Sequence, residues 1–336
     1  MKVTVGIKAL NEEGHIAACI ASALEAIRSF RGEVILADSA SSDRTIEIAS
    51  KFPIRILQLT DPSQRCCGAG AQLAFQDARG EYFYILDGDM TMDPDFLTKA
   101  IPYMDDRPEL AAVGGVVTEV NTVGEEYRIR EQAARTGRNW RPGSVDRLDC
   151  GGLYRSSAVR EVGYFADRNL HAFEEFDLAA RLASRGWKLE RIDAAAVRHH
   201  GHAVSGLRLL ARWLRSGYAD AAGEVLRSAI FEPQFKIVVT GLSHIRYGLM
   251  VIVWWVMLLT LLAVAPIWII PALAVPIVLL VLRRRSIPLG VYSFAMWNVC
   301  AYGLLRGLAQ KRIAPYGAIA ARTLSAGSHA LPSIPT

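Results

Sequence analysis

The sequence predicts an α/β domain on a mostly parallel sheet, followed by C-terminal helices in a membrane. Three observations carry this. β-branched apolar runs alternate with helix-period segments up to about residue 200. Residues 247–282, between Arg246 and Arg283, contain no formal charge. The charge is also divided: all 33 Asp and Glu, and all but seven of the 38 Lys and Arg, precede residue 247. The formal +5 therefore belongs to the C-terminal stretch, and a nucleic-acid reading finds no basic face required of the N-terminal domain. A hydrophobic fraction of 51% excludes disordered and collagen-like classes.

In chain order, Val3 to Ile7 reads as a strand and Gly14 to Phe30 as a helix. Val34 to Ala37 is a strand before a helix that opens near Ser42-Asp43 and runs through Thr45 to Phe52. Ile54 to Leu57 is a short strand, Gly68 to Ala78 a helix and Tyr82 to Leu86 a strong strand; Ala194 to Val197 is strand-like. Ligands in such sheets gather beyond the carboxyl ends of the strands. Three of those ends are polar: Asn11-Glu12-Glu13, Asp38-Ser39-Ala40-Ser41-Ser42-Asp43, and Asp87-Gly88-Asp89. In the last, two carboxylates flank a glycine at the mouth of an apolar strand. Like charges so close repel unless a cation sits with them, and Mg²⁺ or Mn²⁺, completed by substrate phosphates, fits that chemistry. The same residues also serve turns. Glu174, Glu175 and Asp177 stand before Leu178, Arg181 and Leu182 at helical spacing, where acids favour a first turn. Gly151 and Gly152 permit either a turn or a close approach of backbone to ligand.

The uncharged stretch is too long for one span. As a single helix it would reach about 54 Å, against a hydrocarbon core of about 30 Å. Ala265-Pro266 marks the reversal, giving a hairpin over 247–282; Trp254, Trp255 and Trp268 are candidate interfacial anchors. A third helix over 287–309 follows the Arg283-Arg284-Arg285 cluster and lies in or re-enters the membrane, and 311–336 is left as a basic cytoplasmic tail. Upstream, Leu210, Trp213 and Leu214, interleaved with Arg208, Arg212 and Arg215, make Ser205 to Tyr218 a basic amphipathic helix, at a lipid surface or packed on the domain. The expected domains are 1–202, 203–246, 247–310 and 311–336. Met1-Lys2 runs straight into a strand, so the first domain is expected to face the cytoplasm from the inner membrane. Five scattered cysteines are read as reduced thiols.

The ordered set of Asn11-Glu12-Glu13, Asp38 through Thr45, Gly80-Glu81-Tyr82 leading to Asp87-Gly88-Asp89, Gly151-Gly152, and Glu174-Glu175-Phe176-Asp177-Leu178 resembles the family 2 glycosyltransferases of GT-A fold, over about residues 3 to 200. Membrane-anchored exopolysaccharide transferases of the succinoglycan type are similar in overall layout. The resemblance implies a nucleotide-diphospho-sugar donor, a UDP-sugar by preference, held by Asn11, Glu13, Asp38, Asp87, Gly151 and Gly152. It implies a metal on Asp87 and Asp89 and a carboxylate base among Glu174, Glu175 and Asp177. In some enzymes with this fold a histidine completes the metal shell, here His199; a solvated cluster of His199, His200 and His202 is the alternative. Lys8 stands where the family usually has proline and Ala40 where it often has glycine. Glu175 occupies the usual position of the catalytic aspartate. Arg212-Trp213 is similar to the end of the Gln-x-x-Arg-Trp motif of processive synthases, but Leu209 replaces the glutamine, which favours transfer of a single sugar. The expected activity is inverting transfer to a lipid-linked acceptor, a polyprenyl phosphate or a polyprenyl-diphosphate-linked oligosaccharide. A nucleotidyltransferase or a non-catalytic nucleotide-sugar scaffold are the alternatives, separated by sugar transfer, pyrophosphate release or neither.

Overall fold

The structure is a computed structural model and describes residues 1–120, 137–201 and 206–326. The first half runs β1 (Val3–Ala9), α1 (Ile16–Ala26), β2 (Gly32–Asp38), α2 (Thr45–Ala49), β3 (Arg55–Leu59), α3 (Cys67–Gln76), β4 (Tyr82–Asp87), β5 (Met90–Met92), α4 (Phe96–Asp105) and β6 (Leu110–Glu119). Then follow β7 (Gly143–Val145), β8 (Gly152–Arg155), α5 (Ser156–Glu161), α6 (Glu174–Ser184) and β9 (Lys188–His199). The C-terminal part consists of α7 (Gly206–Ser216), α8 (Ala221–Ala229), α9 (Phe235–Gly241), α10 (Ser243–Val264), α11 (Ile269–Arg284), α12 (Ile287–Ala309) and β10 (Ala321–Ala326).

The strands form one sheet in the order β10-β3-β2-β1-β4-β8-β6-β9-β5, with β7 on β9. From β3 to β4 the pairing is parallel, as alternating strands and helices require. Beyond β4 it is mixed: β8 runs antiparallel to β4 and β6, and β6 and β9 are parallel. The central strands are buried on both faces, which is why they read as continuous apolar runs. The chain builds β2 and β3 on one side of β1 and then crosses to place β4 on the other. Such a switch point opens a crevice beyond the carboxyl ends of β1 and β4.

Helix α7, read as lying at a lipid surface or packed on the domain, buries Leu209 and Leu210 and packs on α12. The C-terminal region differs from expectation in two ways. Trp254 and Trp255 donate their indole N–H groups inside the helical bundle, to the carbonyl of Ala272 (3.1 Å) and Asn298 Oδ1 (2.8 Å), so they tie helices together; Trp268, at the hairpin tip, is exposed. Second, the stretch from residue 311 is no free tail through residue 326. Arg312 binds the buried Asp167 (2.8 Å), Ile319 is buried, and β10 pairs antiparallel with β3. An unpaired β3 edge would leave open ladder groups, which β10 satisfies.

α10 ends at Val264 and a 3-10 turn over Pro266–Trp268 reverses the chain, where proline predicted it. Two helical segments, Ser243–Val264 and Pro266–Arg284, are long and apolar enough to cross a membrane. Their outer faces are apolar: Val253, Leu259, Val264, Ile267 and Ile270 are between 68% and 81% exposed. α12 shares that exposure only at its first residue, Ile287. It packs backbone to backbone on the domain, because a Cβ added at Gly303 or Gly307 would lie 2.0 or 2.2 Å from the carbonyl oxygens of Ala219 or Asp220.

Candidate active site

The crevice at the switch point is a cavity of about 610 Å³, bordered by the ends of β1 and β4, the start of α3 and, across it, Leu209, Arg212 and Trp213 of α7. Its lining includes Lys8, Glu12, Asp87 and Asp89. Parallel register sets Lys8 beside Asp87. The Lys8 ammonium lies 3.1 Å from Asp87 Oδ1 and also bonds Glu174, at the start of α6. Burial opposes the charge on Lys8, but the carboxylates of Asp87, Glu174 and Glu175 outweigh it and hold the ammonium well above its ordinary pKa. The residue that departs from the family's proline thus ties the Asp-Gly-Asp loop to the acidic motif.

Asp87 is held above the usual carboxylate range by burial, with Lys8 opposing and Asp89 adding to the rise. The Asp89 carboxylate lies 3.3 Å from His199 Nε2, and His199 Nδ1 lies 2.8 Å from Glu119 Oε2. Burial works against a charged His199 ring, but its bonds to Asp89 and Glu119 prevail and lift its pKa to about 10. Each aspartate therefore already draws a cationic group. Carboxylate oxygens with one imidazole nitrogen are a donor set that fits Mn²⁺ or Mg²⁺. Glu119, Cys150 and His199 also offer ligand atoms within 4.8 Å of one another, and Glu119 had no sequence signal. His200 stacks on His15, and His202 lies outside the described residues.

The three candidate bases separate. Asp177 is fully buried and accepts from Arg181 Nε at 2.9 Å; Arg181 further donates to the carbonyls of Tyr164 and Phe165. The Asp177 carboxylate is thus engaged within its own helix. Glu174 is buried and held by Lys8. Glu175 makes no ion pair or hydrogen bond among the described residues. Burial, reinforced by the Glu174 charge and countered by Lys8, raises its pKa to about 8.

Several of the residues expected at the donor have partners within the protein. Asn11, at φ +57°, accepts from the Ser42 N–H through Oδ1 (2.8 Å), and its own N–H donates to Ser41 Oγ (2.9 Å). Glu13 accepts from the Arg44 N–H and donates its own N–H to Asp43, so it braces the loop while Glu12 lines the cavity. Gly151 and Gly152 lie tight against protein. A Cβ on Gly151 would meet Ile85 O at 3.0 Å at φ +90°, and one on Gly152 would meet Leu148 at 2.8 Å. Ala40 has φ +58°, a conformation glycine adopts freely, which explains the family's preference there. Asp38 is fully buried: Oδ2 accepts from the Ser41 N–H (2.9 Å) and Gln58 Nε2 (2.8 Å), and Oδ1 has no partner among the described residues. Arg65, Arg212, Trp213 and His171 line the cavity without having been singled out as site residues.

Residues 4–163 match the family model of Glycosyl transferase family 2. A low-salt glycan biosynthesis hexosyltransferase of Haloferax volcanii is 38% identical over 102 residues, 30% of this chain and 24% of its own length. A dolichol-phosphate mannosyltransferase of Pyrococcus furiosus is 25% identical over 115 residues, 33% of this chain and 32% of its own. The chain spans about 30% of the length of the first curated relatives it matches. Among solved structures, a mannosyltransferase from Pyrobaculum calidifontis in complex with GDP-Man and Mn²⁺ superposes with a TM-score of 0.60 at 20% identity, covering 90% of this chain and 87% of that one. S. aureus TarS in complex with UDP-GlcNAc gives 0.51 at 16% identity, over 71% and 74%. Residues 4–163 thus form a family 2 glycosyltransferase domain, and this N-terminal domain has the GT-A fold.

Proposed function

We propose that the enzyme is an inverting, metal-dependent transferase that moves one sugar from a nucleotide-diphospho-sugar, a UDP-sugar by preference, to a lipid-linked acceptor, a polyprenyl phosphate or a polyprenyl-diphosphate-linked oligosaccharide. The observation that carries this is the Lys8 bridge, which joins the metal-binding type of loop at Asp87 to the acidic motif that holds Glu175. Asp87 and Asp89, with His199, would hold Mg²⁺ or Mn²⁺, which when bound supplies Lewis-acid neutralisation of the leaving diphosphate. Arg65 and Arg212 put two further positive charges along the cavity. Trp213, stacked on Tyr218 at 5.0 Å, offers an apolar wall to a sugar face. Where the acceptor presents a sugar hydroxyl, Glu175 takes its proton, a contribution of about 10² to 10⁴; a phosphate acceptor attacks through an oxygen already largely ionised near neutral pH. Displacement from one face inverts the anomeric centre.

The α10–α11 hairpin supports a membrane setting, with the catalytic domain on the cytoplasmic side of the inner membrane and a role in cell-surface or exopolysaccharide assembly. A donor panel, scored for metal-dependent release of nucleoside diphosphate with and without lipid extract, tests the whole reading. Transfer to lipid is the expected outcome; pyrophosphate release would point to a nucleotidyltransferase, and no turnover to a scaffold.

A further inference from the structure

We propose that the segment after the last helix completes the nucleobase subsite, with Arg322 and Gln58 as positioning residues that fix Asp38. This rests on the donor reading above. The sheet register sets the three side chains in one row: Arg322 lies opposite Gln58 across the β10–β3 pair, and Gln58 opposite Asp38 across β3–β2. Side chains in register on neighbouring strands share a face, so the row is a property of the pairing.

The polarity of the row is forced by chemistry. A guanidinium has only donors. Arg322 Nε donates to Gln58 Oε1 at 2.8 Å and Nη2 bonds the same oxygen. The amide's NH₂ must then face away from Arg322, and it donates to Asp38 Oδ2 at 2.8 Å. With the Ser41 N–H at 2.9 Å, Oδ2 holds two donors, and Oδ1, buried and unpartnered among the described residues, remains as the acceptor. An acceptor of that kind selects a ring N–H, the imide of uracil or the lactam of guanine, and rejects cytosine, whose N3 carries no hydrogen. Without Arg322 the Gln58 amide is free to turn its oxygen toward Asp38, which would repel the carboxylate and release it.

The linking stretch delivers β10 in this register. The Ile319 N–H donates to Gln76 Oε1 and its carbonyl accepts from Gln76 Nε2, both at 3.0 Å; Ala320 O accepts from the Thr60 N–H and hydroxyl. Base selection thereby depends on a segment separated from β3 by the whole helical region.

The test uses the full-length enzyme in detergent, with Arg322→Met, Arg322→Lys and Gln58→Met, and equilibrium binding of UDP, GDP, CDP and inorganic pyrophosphate, all with Mn²⁺. Arg322 is exposed, so its replacement leaves the core untouched. Arg322→Met and Gln58→Met are expected to lose about tenfold in discrimination between the preferred nucleoside diphosphate and CDP, the worth of a hydrogen bond to a charged group. Arg322→Lys should retain part of it, and pyrophosphate binding and melting temperature of the Arg322 variants should not move. Unchanged discrimination in Arg322→Met overturns the proposal. So does a uniform loss across all four ligands, which would make β10 an edge cap alone. A wild-type enzyme that binds no nucleoside diphosphate defeats the donor reading itself, and the proposal with it, and is told apart because the failure precedes any substitution.

Discussion

Replacing Glu174 by Gln should speed the enzyme near neutral pH, because Glu174 is the charge that most hinders ionisation of its neighbour. Glu175 has a pKa of about 8, raised first by burial, then by Glu174, with Lys8 pulling the other way. A base must be ionised to accept a proton, so activity rises with pH toward that midpoint. At pH 7 about one molecule in ten carries the active form, and each unit below pH 8 costs about tenfold in rate. Two like charges on neighbouring side chains, at an effective dielectric of about 20, are worth on the order of 2 kcal/mol, which screening reduces to about one pH unit. Glu174→Gln should therefore shift the midpoint down by about one unit, and Lys8→Met, which removes the opposing cation, should shift it up. The assay is initial-rate release of nucleoside diphosphate between about pH 6 and pH 9 with Mg²⁺ saturating. A wild-type rate that is flat over this range, or one midpoint shared by all three proteins, would refute the reasoning. Abolition of activity in Glu174→Gln would move the base to Glu174.

Two further outcomes are expected. Glu175→Gln and Asp89→Ala should each lower transfer by about 10² to 10⁴ or more without changing the melting temperature, and a chelator should abolish activity that Mn²⁺ or Mg²⁺ restores. Asp177→Asn should instead act on stability, because it leaves the Arg181 guanidinium, itself 5% exposed, without its counter-charge. The cost is about 3 to 5 kcal/mol by thermal unfolding, with kcat of the surviving folded protein near wild type.

Much of the N-terminal fold was legible because its strands are buried on both faces and end in polar clusters, so a run such as Tyr82 to Leu86 and the Asp87-Gly88-Asp89 behind it announce both a central strand and a site. The hairpin was legible for the opposite reason, an absence of charge with a proline, Pro266, near its middle. Roles that depend on long-range register were not. Glu119 becomes relevant only because β6 and β9 align it with His199, whereas the Asp177–Arg181 pair, four residues apart on one helix, lay within reach of helical spacing. Nor does Ala321–Ala326 have a strand's composition: it is small and polar, and becomes a strand because β3 offers it an edge. The departure at Lys8 was visible, but its purpose required both of its partners in space.

The sequence invites a cut at residue 246, as though the rest were only an anchor. The contacts argue otherwise. Arg306 Nε sits 2.8 Å from both oxygens of the buried Asp220 and its Nη2 reaches the carbonyl of Leu214, at the end of the α7 wall. Arg312 neutralises the buried Asp167. A protein ending at residue 246 would strand both carboxylates, at about 3 to 5 kcal/mol each, against a total stability of about 5 to 15 kcal/mol for a typical protein. It would also bare the face of α8 that α12 covers and remove β10. The 1–246 fragment is therefore expected to aggregate or lose nucleotide binding, whereas excising only the outer hairpin between Tyr247 and Ser286 with a flexible linker should leave a folded, binding-competent enzyme. A monomeric 1–246 fragment that binds nucleoside diphosphate like the full chain would show that α12 and β10 rest on the catalytic domain without supporting it.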